Sequence, residues 1–258
     1  MITKLSMGLA CAAVAIGASR AGADVVRLAV RSQPQHDARL GITYGFSHST
    51  DGGIDMSAEA ADLQVRKTSY EDGHFVLRLA SQDDVVTITL GVSTVEVVRG
   101  KRRVSFAHGT AVDADLDGAR TLLLGSRAVR RFRQLAIELE DAEDDSPAPH
   151  GLLIAASIVH ALDGDPGAPS RIARRLARGR STPALRRVAS WQDPNQKSED
   201  CWVTYEQRVT QAMRDYEDCL RTRQWWNFEP QGNMCVGVWA IRVEGYWFQY
   251  IKCSAFPF

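Results

Sequence analysis

No stretch of this chain is apolar for long enough to cross a bilayer, which takes about 20 residues. The longest candidate, 152–162, is interrupted by Ser157 and His160 and reads as a buried helix. Net charge is missing too: 31 Lys and Arg offset 31 Asp and Glu. That balance excludes the basic footprint of a nucleic-acid or anionic-lipid binder. Also absent are His-Glu-x-x-His, Cys-x-x-Cys, Gly-x-Ser-x-Gly and a phosphate-cradling glycine loop, so no enzyme class announces itself. Tryptophan is absent before Trp191, and no cysteine lies between Cys11 and Cys201. This compositional break is the clearest sign of how the chain is divided.

The histidines, 36, 48, 74, 108, 150 and 160, are scattered without metal-ligand spacing, and neither a metal nor a cofactor is expected. His48, in a Ser/Thr-rich stretch before Asp51, is the one to watch, because a Ser-His-Asp site assembled from distant residues leaves no local motif. Asp113-x-Asp115-x-Asp117-Gly118 opens like a calcium loop, but Leu124 stands where a bidentate acid is required. The aspartates read better as the negatively charged start of a helix.

The first residues have the layout of a secretory signal. Lys4 supplies the charge, 9–16 the apolar run, and Ala21-Gly22-Ala23 a small-x-small cleavage site. Cleavage near Ala23 would make Asp24 the first mature residue and place the protein outside the cytoplasm, secreted or periplasmic. Cys11 is not read as a lipid-bearing cysteine, because Gly8 occupies the position where leucine would be expected.

Three regions are expected after 1–23, giving an α+β protein. Region 24–112 alternates apolar and polar residues in short runs, at 25–30, 63–66, 75–79, 85–90, 95–98 and 104–106. Turn signals fall at 71–73, 82–84 and 99–101. This predicts an antiparallel β-meander with one wet face, with 47–53 as a loop. Region 113–187 switches to helical spacing through Leu122, Leu123, Val129, Phe132, Leu135, Ala136 and Leu139, then helices over 150–162 and 170–178. Seven Arg and no acid in 171–187 face six acids and no base in 138–145. These are read as two solvated, mutually attractive faces. Arg186 and Arg187 mark a possible processing site in an exposed linker.

Region 188–258 holds the remaining cysteines. Cys201 and Cys219, and again Cys235 and Cys253, are 18 residues apart. That is five turns of helix, which puts both members of each couple on one face. Cys201, Tyr205, Val209, Ala212, Tyr216 and Cys219 form such a stripe, with Ser198 or Asp200 as N-cap. On a straight helix an 18-residue step is about 27 Å, far beyond a disulfide's reach. Of three connectivities, nested Cys201–Cys253 with Cys219–Cys235 is favoured. It staples an antiparallel helical hairpin reversing near Pro230 and Gly232, whereas the crossed pattern needs parallel helices. A rival stays open: 236–251 is rich in β-branched and aromatic residues, and a β-hairpin turning at Glu244-Gly245 would pair Cys235 with Cys253.

Trp239, Tyr246, Trp247, Phe248 and Tyr250 put more apolar surface on the second hairpin segment than one partner helix covers. The functional expectation is a non-enzymatic exported protein. Its C-terminal module binds an unknown protein partner or a membrane surface through these aromatics, as a toxin- or bacteriocin-like segment released from a precursor would. The second reading is an intact extracytoplasmic binding or structural protein with the hairpin as a covalent brace, and the third is an extracytoplasmic hydrolase.

Overall fold

Alternation of side-chain character with period 2 is what a half-buried strand requires, and the N-terminal region follows it closely. The computed structural model describes residues 34–107, 113–141, 147–165, 167–177, 194–221 and 230–254. The expected signal segment, the 25–30 run and Arg186 and Arg187 lie outside the described residues. Eight strands are described: β1 (Gln35–Asp37), β2 (Ile42–His48), β3 (Ile54–Ala60), β4 (Leu63–Ser69), β5 (Phe75–Ser81), β6 (Asp84–Leu90), β7 (Thr94–Arg99) and β8 (Arg102–Ala107). They form one antiparallel sheet in simple sequential order. One face is apolar and buried, with Met56, Val65, Leu77, Ile88 and Val97 across its middle. The other is wet. The expected loop is shorter than 47–53, because β2 continues to His48 before the chain turns.

Helices cover the buried face. The helical spacing between 116 and 139 resolves into two helices, α1 (Asp113–Leu124) and α2 (Arg127–Asp141), separated at Gly125-Ser126. Ser126 caps α2 by accepting the Val129 N–H at 3.1 Å. Asp84 at the start of β6 accepts from the Arg127 N–H, the Ala128 N–H and the Ser126 hydroxyl. Burial alone would raise its pKa. Hydrogen bonds from Ser126, Ala128, Arg99 and Arg127 outweigh that and hold the carboxyl below the usual range. One carboxylate thus ties the sheet to the N-terminus of α2, where negative charge is favoured.

α3 (Pro147–Asp163) is buried on every side from 149 to 162, as expected of a helix apolar all round. It packs against α1, α2 and α4 (Gly167–Ala177). Arg171 of α4 pairs with Glu140 of α2 at 3.6 Å, so the basic and acidic stretches meet here. The aspartates of the calcium-like motif lie in the first turns of α1, with Asp117 paired to Arg120 at 3.3 Å.

The C-terminal region is a pair of long helices, α5 (Pro194–Arg221) and α6 (Pro230–Ser254). The first starts at Pro194, ahead of the expected caps Ser198 and Asp200. Proline suits a first helical position, where the missing N–H is no loss. α6 starts at Pro230 and runs through Glu244-Gly245 without a turn, which removes the β-hairpin alternative. Together the elements show an α+β fold: a β-meander, a helical layer and a disulfide-bonded helical hairpin. One continuous apolar cluster runs from Ile42 in the sheet to Ile251 in α6. Among the described residues no helix is long and apolar enough to cross a membrane.

Candidate functional site: the seat of the C-terminal hairpin

The cysteines come together in nested pairs. Cys201 bonds Cys253 with Cα atoms 6.1 Å apart, and Cys219 bonds Cys235 at 6.0 Å, within the ordinary disulfide span. The bridges fix α5 against α6 near both ends. Two disulfides suit an oxidising, extracytoplasmic compartment.

The five aromatics expected to form a binding surface do not sit together on the outside. Trp239, Trp247 and Phe248 are buried, while Tyr246 and Tyr250 are half-buried. Trp239 packs on Tyr216 of α5 at 5.9 Å between ring centroids. Trp247 enters the main core, 6.0 Å from Phe46 of β2. Its indole lies over Gly151 of α3, where a Cβ would come within 2.8 Å of the ring. A second close approach joins the β4–β5 turn to α6. There a side chain on Gly73 would run into the Ile241 carbonyl, and the backbone, at φ +86, already favours glycine.

Beneath Trp247 lies an ion pair outside the site residues that the sequence pattern points to. Lys67 of β4 shares the core-facing parity of Leu63 and Val65. Its Nζ donates to Glu244 Oε2 of α6 at 2.5 Å, and both side chains are 0% exposed. The ammonium stands 4.2 Å from the Trp247 ring centroid and 5.2 Å from that of Phe75, within cation–π range. Burial pushes the Lys67 pKa down, and the charge and hydrogen bond of Glu244 pull it partly back. Glu244 Oε1 has no hydrogen-bond partner among the described residues. Charges taken from water this completely repay their desolvation only while they hold each other. The pair therefore acts as a lock between the sheet and the hairpin.

A second polar contact lies on the α3 side. The Tyr205 hydroxyl of α5 is 3.3 Å from His150 Nδ1 of α3. Burial holds the Tyr205 pKa well above its ordinary value, with Glu244 and then Tyr250 adding to the effect. Trp202, Tyr205, Tyr250 and His150 pack around this contact at centroid separations from 5.3 to 5.7 Å, Tyr205 stacked on Tyr250 and the other rings tilted or edge-on. Outside it, Thr204, Arg208, Tyr246, Gln249 and Tyr250 flank the Cys201–Cys253 bridge in an open groove of about 300 Å³. Arg208 lies over Tyr246 at 5.5 Å and donates to Gln249.

Chemically this seat fastens rather than reacts. Lys67 and Glu244 have no opening to solvent through which a substrate could reach them. Among the described residues, no group of three His, Cys, Asp or Glu is placed to hold a metal ion. His48 ends β2, opposite Ile54. Comparison of the chain with protein-family models, with curated proteins and with solved structures finds no match in any of the three.

Proposed function

We propose that this is an exported protein that works as one intact body, its C-terminal hairpin serving as a covalent brace that locks the helical layer onto the sheet. In this reading the segment 1–23 is removed near Ala23, the disulfides form outside the cytoplasm, and the protein binds rather than catalyses. The observation that carries it is the Lys67–Glu244 pair beneath Trp247. Release of the hairpin as a partner- or membrane-acting segment would break that pair and uncover the apolar face of the sheet around Lys67. It would also bring Trp247, which packs on Phe46 of β2 and Gly151 of α3, into water, at about 1.5–3 kcal/mol for a large apolar side chain. A brace explains that burial, whereas a releasable module would leave its working surface outside.

The test is the non-reduced intact mass of the exported protein from its native producer. The expected species runs from Asp24 to Phe258 and is four hydrogens lighter than its formula, two for each bridge. A mature fragment starting after Arg187 and carrying both bridges would contradict the proposal and restore the precursor reading.

A further inference from the structure

In the intact body the outer face of the sheet stays open to solvent, and it carries an arrangement that works against strand pairing. The pairing of β4 with β5 sets Arg66 directly opposite Arg78, and both are exposed. Directly opposed residues of an antiparallel pair hold their Cβ atoms about 5 Å apart, and like charges there weaken the pairing. The flanking register gives no relief, since Ser57 lies beyond Arg66 and Thr87 beyond Arg78. Three other arginines at the sheet are matched, Arg99 to Asp84, Arg103 to Glu96, and Arg131 of α2 to Asp62; Arg102, opposite Arg99 in the register of β7 and β8, is not. The side chains of Arg66 and Arg78 have neither an ion pair nor a hydrogen bond among the described residues. Glu59, opposite Gln64 and so diagonal to Arg66, is likewise unpaired there. Ser57, Glu59, Gln64, Arg66 and Arg78 line a recess of about 310 Å³.

We propose that this recess binds a tetrahedral oxyanion ester, phosphate or sulfate, carried on a hydroxylated body such as a sugar. Two arginines opposed across the ladder can bring guanidinium forks to one shared ligand, and such forks match the oxygens of a phosphate or sulfate. An anion between them converts their mutual repulsion into attraction to a shared ligand. Ser57 and Gln64 add neutral donors and acceptors, and the Glu59 carboxylate, one step diagonal from Arg66, accepts from ligand hydroxyls. The inference rests on the intact-body reading for its choice of surface, yet the two fail separately. A released hairpin would show in the mass, and an empty recess would show only in the binding.

The test is a titration of the whole mature chain, bridges intact, with glucose 6-phosphate and separately with glucose 6-sulfate, followed by amide chemical shifts at low ionic strength. Saturable binding in about the millimolar range is expected, with shifts centred on residues 57–66 and 78–80 and affinity falling as salt is added. The tighter of the two esters distinguishes phosphate from sulfate. Arg66→Gln and Arg78→Gln are each expected to weaken binding about tenfold or more. Without ligand, each variant should melt no lower than the parent, because a like-charge contact has been removed. Saturation by neither ester up to about 100 mM, or unchanged affinity in both variants, would overturn the proposal.

Discussion

Replacing Lys67 alone with Met is expected to destabilise the protein by about 3–5 kcal/mol, although Met is apolar and similar in length. The loss comes from what remains. Glu244 would stand in a box of Trp247, Phe75 and apolar strand residues with no cation to face, and it must then protonate or drag water into the core. Glu244→Leu alone is expected to cost a similar amount, by stranding the lysine. The double variant Lys67→Met with Glu244→Leu should recover most of the loss and could exceed the parent, as other buried pairs do when both partners become apolar. Urea unfolding of all four proteins with bridges intact completes the cycle. Single variants within about 0.5 kcal/mol of the parent would mean that the two side chains are hydrated and do not lock the hairpin.

Removal of the outer bridge by Cys201→Ala with Cys253→Ala is expected to cost about 4 kcal/mol, and of the inner bridge by Cys219→Ala with Cys235→Ala about 3 kcal/mol. The order follows from sequence separations of 52 and 16 residues, since the longer loop restricts the unfolded chain more. Alanine is chosen over serine because Cys201 and Cys235 are buried, and a hydroxyl there would add a desolvation cost. Each variant should keep the hairpin docked, with the Trp247 environment unchanged below the transition, because the lock and the apolar seat persist. Denaturant unfolding read by tryptophan fluorescence tests this. Loss of tertiary signal in native buffer on removing one bridge would show that the disulfides, and not the seat, hold the hairpin in place.

Much of this architecture could be read from residue order. The alternation at 63–66, 75–79 and 85–90 places β4, β5 and β6, because the two-residue period has one physical source, a sheet buried on one side. The 18-residue cysteine steps rule out a bridge within either helix, and the short reversal near Pro230 and Gly232 favours the nested pairing over the crossed one. The largely apolar run 152–162, interrupted only by Ser157 and His160, gives the buried central helix. What escaped is instructive. Lys67 follows Leu63 and Val65 at the same parity, so alternation already pointed it inward, but a lysine at the end of a run is naturally taken for the solvent face. Glu244 shares a helical stripe with Ala240, Trp247 and Ile251, and that lone acid in an apolar stripe was the matching signal. Neither residue identifies the other, since 177 positions separate them and only the fold brings them together. The aromatic excess of α6 was visible too, but not what it covers. A helix seated in a notch formed by Gly151 and Gly73 buries more surface than any pairwise count of helices allows.

Hydrogen exchange measured residue by residue on the intact, oxidised protein tests the central claim most directly. If the hairpin is part of the body that the sheet begins, amides of α6 around Trp247 should open only with β4 and β5. Their exchange should then report the same free energy and the same denaturant dependence as those strands, the signature of a single cooperative unit. Exchange of α6 by a separate, lower-energy opening while β4 and β5 stay protected would contradict the account and mark the hairpin as a module that can leave.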